Sequence, residues 1–421
     1  IICDPWLSGT SFNEGWHLLA ETKFKYKDFS KITHIWISHE HPDHFSPATF
    51  KNIPKEYLNN ITVLYQFTED KKVLNFFQRL GFNTIEILPK VPFIISNDFT
   101  LKSDKFGAED SWLKIDTKDF SLLNMNDCPI RKKEDLCELK RDIGKVDLLL
   151  TQFSYANWCG NKSQKNLREK EAKIYLKQML NQIKFLSPSI VIPFASYIYF
   201  CHEENFYHND SINKVSEIYK IITNKTNIKC NVLYPGDSWN IGKSYNSLRS
   251  IAKYEKNYNS LNKANLKKSK KIPINDLINS AKKYTHDLKK KNWIFPLKIL
   301  KFFGYLRATK IYLTDHKKSL FFSFCTGISM NNFPRNESDI QLSSESLLYC
   351  LNYLWGVGTL AINARFTTSD NGSIRYFYRN FALSAENNAG RSFPKDYIAK
   401  FIFKIINKCK LRNWLQFFNR V

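Results

Sequence analysis

Short apolar runs separated by amphipathic stretches fill the first 245 residues, and their periods switch back and forth between strand and helix. Residues 1–7 read as a strand stopped by a turn at Pro5. Residues 16–20 are predicted as a short helix, and 32–38, Ile-Thr-His-Ile-Trp-Ile-Ser, as a buried strand. Ser46 then caps a helix whose first residue is Pro47. Strands at 61–65 and 84–88 flank a helix at 71–80 that Gly81 ends. A strand pair at 113–115 and 120–124 is joined by the polar turn 116–119. Further strands are predicted at 146–151, 190–192 and 231–233, with a helix over 169–185. This alternation indicates an α/β layered domain over residues 1–245.

The pattern changes near residue 245. Residues 246–292 are rich in Lys and Asn with sparse apolar positions, which predicts a helical or partly mobile connector. Apolar periodicity returns at Ile294, and strands at 311–313, 319–325 and 359–366 with a helix at 344–353 predict a smaller α+β domain over 293–421. From Asp396, apolar residues at 398, 401, 402 and 405 lie opposite Lys400, Lys404, Lys408 and Arg412, the pattern of a basic amphipathic helix. Such a helix either closes the second domain, the commoner use of an apolar stripe, or lies on an anionic membrane surface with Trp414 and Phe417 at the headgroups. Packing predicts buried Phe401, Ile402 and Ile405 and a loss of solubility on truncation at Asp396. No apolar run is long enough to span a membrane. Ile1 is not Met and already reads as strand, so further sequence is expected before it.

A chain of 421 residues, 43% hydrophobic and 15% aromatic, has material for two packed interiors or three. Its 63 Lys and Arg against 39 acids give a formal charge of +24. That charge invites a nucleic-acid or membrane partner. Lys, Asn, Ile and Phe are abundant along the whole chain, however, as an AT-rich genome would produce, and no nucleic-acid motif accompanies the charge. No nucleic-acid partner is therefore expected. The nine Cys stand singly, without a C-x-x-C pair, which predicts reduced thiols in a cytoplasmic protein.

Candidate chemistry is concentrated in Ser38-His39-Glu40-His41-Pro42-Asp43-His44. Three imidazoles and a carboxylate directly after a buried strand each need a partner, and a metal supplies one. A tight turn here aims His39 and His41 at one ion and Asp43 and His44 at a second; the alternative is a loop of solvated histidines. No histidine lies between His44 and His202. Glu109 and Asp110 precede the strand pair at 113–124, and Asp127 follows it. The aromatic and amide-rich stretch 152–161 reads either as the floor of a polar pocket or as a packed loop. His208 reads as a surface histidine, and His17, His34, His286 and His316 as structural or exposed.

The H-x-H-x-D-H spacing resembles the signature of the metallo-β-lactamase superfamily. With Asp4-Pro5-Trp6-Leu7-Ser8-Gly9, Gly15-Trp16, Asp110, Asn124-x-x-Asp127-Cys128, Pro193-Phe194-Ala195-x-Tyr197 and His202, it resembles the lactamase-fold part of the CMP-N-acetylneuraminate hydroxylase family. The likeness covers about residues 1–245 and continues weakly from Leu347 to Phe366. A di-iron β-hydroxylase of antibiotic synthesis has a similar layout, with a carboxylate replacing a histidine. The resemblance implies an αββα sandwich, here without its opening strands, and two divalent metal ions. It places His39 and His41 on one ion, completed by Glu109 or Asp110 in place of a histidine, and Asp43, His44 and His202 on the other. Asp127 is the implied bridge, and Asp43 and Asp127 are the candidate catalytic carboxylates. So many oxygen ligands tilt the preference toward iron or manganese, while zinc is usual for the superfamily's hydrolases.

The implied substrate is a small anionic molecule such as a sugar nucleotide. The implied reaction is hydroxylation at a di-iron centre or metal-assisted hydrolysis of a phosphoester or acyl bond, and a third reading is a non-catalytic scaffold. The hydroxylase family carries a Rieske domain with Cys-x-His and Cys-x-x-His pairs, and this chain contains neither pair. Either that domain precedes Ile1, or a separate electron donor serves the site, or the site no longer performs oxygen chemistry.

Overall fold

In the strand His34–Ile37 successive side chains face opposite ways, and this period of two builds the layers of the first unit. The computed structural model describes residues 1–107, 110–302, 304 and 306–396. Glu109 and the predicted helix beyond Asp396 lie outside the described residues. The chain divides into two units, Ile1–Lys267 and the residues from Lys268 onward.

In the first unit, Ile2–Cys3, His34–Ile37, Thr62–Gln66 and Asn83–Ile87 form a parallel four-stranded sheet in that order. Ile35, Ile37, Val63 and Tyr65 point outward against Phe50, Val73, Leu74 and Phe77, which come from the helices Pro47–Lys51 and Lys72–Leu80. Trp36 and Leu64 point inward against Leu101 and Leu113 of a second sheet. That sheet runs from Lys229–Cys230 through Ile190–Phe194, Leu148–Gln152, Ser121–Asn124, Asp110–Thr117 and Phe99–Phe106 to Phe93–Ser96. Its outer face, including Leu123, Leu149 and Val191, packs on Leu136, Met179, Ile183, Val215 and Ile218 of the helices Lys133–Ile143, Lys165–Leu186 and Val215–Lys225. The order helix, sheet, sheet, helix is the expected αββα sandwich.

Strand direction then places the functional segments. Ser121–Asn124 runs parallel to Leu148–Gln152 and antiparallel to Asp110–Thr117, with Asn124 opposite Leu113. The start of one strand, at Asp110, and the exit of the next, toward Asp127, therefore share one edge of the sheet.

Some segments depart from the expectations, and the strand predicted at 231–233 lies instead at Lys229–Cys230. Residues 16–20 do not form a helix: Trp16–Leu18 is a strand paired with Thr10–Ser11 and Ile198–Phe200, because five residues without a cap gain more from a sheet ladder than from one helical turn. Residues 246–292 are helical, as one of the two expected readings has it, with helices Ser247–Ser260 and Ile274–Lys291. They form no separate connector, since the first helix belongs to the first unit and the second to the second. Their few apolar residues fall on single stripes, Ile251, Tyr254 and Tyr258 in the first unit's core and Leu277, Ala281, Tyr284 and Leu288 in the second unit. Residues 359–366 are the end of a helix, Gly356–Asn363, followed by the short strand Phe366–Thr367. The second unit is α+β, with a five-stranded sheet ordered Gly327–Asn331, Lys318–Ser323, Thr309–Leu313, Ile340–Leu342 and Phe366–Thr367.

The helix Ser247–Ser260 is tied to the preceding turn through Asp237. Its carboxylate accepts from Tyr234 N at 2.9 Å, the Tyr245 hydroxyl at 2.8 Å, Ser250 Oγ at 2.6 Å and Lys253 Nζ at 3.2 Å. Partial burial opposes its charge, but these donors outweigh it and hold the pKa near about 2 instead of 3.8. A depressed carboxylate contributes stability above its ordinary pKa and loses that contribution as pH falls through the lowered value. Asp237→Asn is thus expected to lower the urea midpoint at pH 7, and the gap from wild type should close as pH falls from about 4 to about 2. A gap independent of pH would show that the charge is immaterial.

Candidate metal centre

Ser38, at the exit of the central strand, is held at all three of its polar groups. Its carbonyl accepts from Gln66 Nε2 at 2.8 Å and Ser111 Oγ at 2.6 Å, its amide donates to Asp4 Oδ1 at 2.8 Å, and its hydroxyl donates to Asp4 Oδ2 at 2.7 Å. The loop beyond it closes on itself, with the amides of His44 and Phe45 donating to the His41 carbonyl at 3.0 and 2.7 Å. Ser46 then caps the helix Pro47–Lys51, as the sequence predicts.

This pinned turn brings His39 and His41 together with Asp110 and Asp127, one donor atom from each lying within 4.8 Å of all the others. His39 Nε2 is 2.8 Å from His41 Nδ1, 3.7 Å from Asp110 Oδ1 and 3.8 Å from Asp127 Oδ2. His44 Nε2 faces Asp43 Oδ2 at 3.1 Å and the same Asp127 Oδ2 at 3.4 Å. Asp127 therefore stands between two imidazoles that belong to two neighbouring donor groups.

Both histidines have their outer nitrogens committed. His39 Nδ1 donates to Ser38 Oγ at 2.9 Å, and His44 Nδ1 donates to Asp4 Oδ2 at 3.0 Å. Each Nε2 is left facing the carboxylates, the arrangement that fixes a ligand's tautomer. Asn126 adds its amide to Asp4 Oδ2 at 3.0 Å and Ser38 Oγ at 2.5 Å. Asp4 and Asn126 both adopt left-handed backbone, at φ +45° and +53°, a region that Asp and Asn enter more readily than most residues.

The electrostatics suit a cation. Burial pushes the His39 imidazole down to about 3 against the pull of Asp127, so it is neutral. Burial disfavours a charged His44 too, but Asp43 and Asp127 outweigh it and raise its pKa well above the usual value. Burial would raise Asp127, yet the charged His44 beside it, which also hydrogen-bonds it, holds it far below the usual carboxylate range. Asp127 Oδ1 and Asp43 Oδ1 are buried with no hydrogen-bond partner among the described residues. Neutral imidazole, ionised carboxylate and orphaned buried oxygens fit a divalent ion, since a proton is a poor substitute for it.

Of the predicted site residues, the structure thus gathers His39, His41, Asp110 and Asp127 into one group, with Asp43 and His44 adjoining it. His202 lies outside the group of four. It is buried on the segment after Ile198–Phe200, and its Nδ1 accepts from the Glu204 amide at 3.1 Å and lies 3.5 Å from Glu204 Oε2. His208 is not on the surface: the short turn Phe206–Asp210, held by the Arg168–Asp210 ion pair at 2.7 Å, tucks its ring inward beside Phe200 and Tyr207. Stretch 152–161 is a packed loop, with Tyr155 buried and its hydroxyl donating to the His208 carbonyl at 2.5 Å.

The orienting residues Asp4, Ser38 and Asn126 were not among the predicted site residues. The register Ile2 with Ile35 and Cys3 with Trp36, which sets Asp4 beside Ser38, is the signal that locates the first two.

No protein-family model matches the chain. It is 28% identical over 233 residues to cytidine monophosphate-N-acetylneuraminic acid hydroxylase of Mus musculus, across 51% of this chain and 39% of that protein. The Xenopus laevis hydroxylase is 26% identical over 263 residues, across 58% of this chain and 43% of its own length. The chain thus spans about two fifths of the length of these curated relatives. Among solved structures, CmlA, a diiron β-hydroxylase from Streptomyces venezuelae, aligns with a TM-score of 0.39 at 15% identity, over 55% of this chain and 49% of that one. Motif, layer order and sequence similarity agree that the first unit has the metallo-β-lactamase fold and resembles the lactamase-fold part of the CMP-N-acetylneuraminate hydroxylases.

Proposed function

We propose that the chain is a dinuclear metal-dependent hydroxylase acting on a small anionic substrate of the sugar-nucleotide class. In this reading His39, His41 and Asp110 hold one ion, Asp43, His44 and His202 hold the other, and Asp127 is shared. The observation that carries it is the Asp110 carboxylate beside His39 and His41, in a sequence similar to hydroxylases. A hard oxygen ligand there favours iron over zinc. Two iron ions would supply the activation of dioxygen. The protein's own part is to keep both Nε2 atoms aimed inward through Ser38 and Asp4, and to supply the anionic charge of Asp43, Asp110 and Asp127. The balanced reaction converts a substrate C–H, dioxygen, two electrons and two protons into C–OH and water. The electrons come from a separate donor or a further domain.

The test is to load the protein with ferrous iron under anaerobic conditions and supply CMP-N-acetylneuraminate, dithionite and 18O-labelled dioxygen. One labelled oxygen atom in an otherwise intact nucleotide sugar supports the proposal. A cleavage product labelled only from 18O-water supports hydrolysis instead, and intact substrate with both ions bound supports a scaffold. Asp110→His is a sharper probe of the metal preference. It should raise retention of zinc over iron in a competition loading and abolish incorporation of the label. Unchanged iron preference would refute the role given to Asp110.

A further inference from the structure

The helix Phe295–Phe302 of the second unit is apolar on two faces. Ile294, just before it, and Leu297 are buried. Phe295, Ile299 and Phe302, spaced i, i+4 and i+7 on another face, are 62%, 46% and 86% exposed. Trp293 is 59% exposed and its ring stacks with Phe295 at 6.4 Å between centroids. Leu354, also 59% exposed, belongs to the same region of the unit: Asn292 bonds Asn387 at 2.7 Å, and the neighbouring Asn388 bonds the Leu354 carbonyl. An apolar patch of this kind on a folded unit marks an interaction surface.

The surroundings are strongly basic. The preceding helix Ile274–Lys291 ends in Lys289-Lys290-Lys291, all exposed, and Lys298 is exposed on the apolar helix itself. Residues 282–302 hold seven Lys and one acid, Asp287.

We propose that this face docks on an anionic lipid bilayer, with Trp293, Phe295 and Ile299 entering the boundary between headgroups and acyl chains and the lysines meeting lipid phosphates. An exposed Trp and Phe beside a lysine run is the chemistry of an interfacial helix. A second copy of the chain would bring two lysine runs together in a protein already at +24. The chain's own residues beyond 396 are the competing occupant through their apolar positions 398, 401, 402 and 405, but Lys400, Lys404, Lys408 and Arg412 would add positive charge to a basic rim. Vesicle binding that appears only after truncation at Asp396 would show that they cover the patch and overturn the proposal. The inference does not depend on the activity proposed above.

The test is sedimentation of the full chain with vesicles. It should bind vesicles of equal parts phosphatidylcholine and phosphatidylserine, weaken as salt rises, and ignore pure phosphatidylcholine. The double variant Phe295→Ser/Ile299→Ser should bind at least about tenfold more weakly with an unchanged melting temperature, since both side chains face solvent. Trp293→Phe should keep binding but lose the part of the fluorescence quenched by brominated acyl chains. No binding by the wild-type chain, wild-type affinity in the double variant, or quenching unchanged in Trp293→Phe would each overturn the proposal. So would a dimer in solution that the double variant dissolves.

Discussion

In the proposed dinuclear site, Asp127→Asn is expected to leave one metal ion per chain at most, and to abolish any turnover that needs two. The carboxylate Oδ2 lies 3.8 Å from His39 Nε2 and 3.4 Å from His44 Nε2, so a single oxygen addresses both donor groups. An amide has the same shape but no charge, and its nitrogen cannot act as a ligand. Losing an orienting partner of a metal ligand costs about 10–100-fold in affinity, and losing a shared anionic ligand should cost more. The fold should survive, because Asp127 sits at the sheet edge while Leu123 and Met125, inside the preceding segment, carry the packing. Elemental analysis after dialysis, with circular dichroism as the control, decides the matter. Two full equivalents of metal in a folded Asp127→Asn protein would remove Asp127 from the bridging role.

What the sequence makes legible is local. His39, His41, Asp43 and His44 are brought together by one turn within six residues, so their spacing alone implies a shared purpose. Ile35, Trp36 and Ile37 announce a strand with two buried faces, and the structure sends them to two different layers. The residues that were hidden depend on partners far along the chain. Asp4 matters only because a parallel pairing lays it beside Ser38, 34 positions later. Asn126 reaches Ser38 across 88 positions by way of a left-handed turn that no periodicity reports. Trp16–Leu18 becomes a strand because Ile198–Phe200 is there to pair with it, a contact that sequence-local propensity cannot see. His208 looked exposed for a similar reason: Arg168, which draws its turn inward, is 40 positions away. For 247–260 and 274–291 the helical reading was open from the sequence, but the Lys-rich composition masked the apolar stripes that pack these helices into the two units.

Asp4→Asn should weaken binding of the ion assigned to Asp43 and His44 by about 10–100-fold and destabilise the fold by about 2 kcal/mol, although Asp4 is not a ligand in the proposed site. Its carboxylate accepts four hydrogen bonds, from Ser38 N at 2.8 Å on Oδ1 and from Ser38 Oγ at 2.7 Å, Asn126 Nδ2 at 3.0 Å and His44 Nδ1 at 3.0 Å on Oδ2. An Asn side chain has one acceptor and one donor. Whichever way its amide turns, the NH2 group faces a donor: the Ser38 amide on one side, or the hydroxyl, the Asn126 amide and the His44 ring on the other. A buried donor left without an acceptor costs about 1–3 kcal/mol, and His44 also loses the anion that aims its Nε2 at Asp43 and Asp127. Backbone strain does not confuse the comparison, since Asn accepts the φ of +45° at this position as readily as Asp. The first ion, held through His39, should be less affected, because the Ser38 hydroxyl that orients His39 keeps Asn126 as a partner. Stepwise metal titration followed by calorimetry, together with a urea unfolding curve of the metal-free protein, separates the two effects. Wild-type affinity for both ions with an unchanged urea midpoint would show that His44 is held by the turn itself and that Asp4 is dispensable.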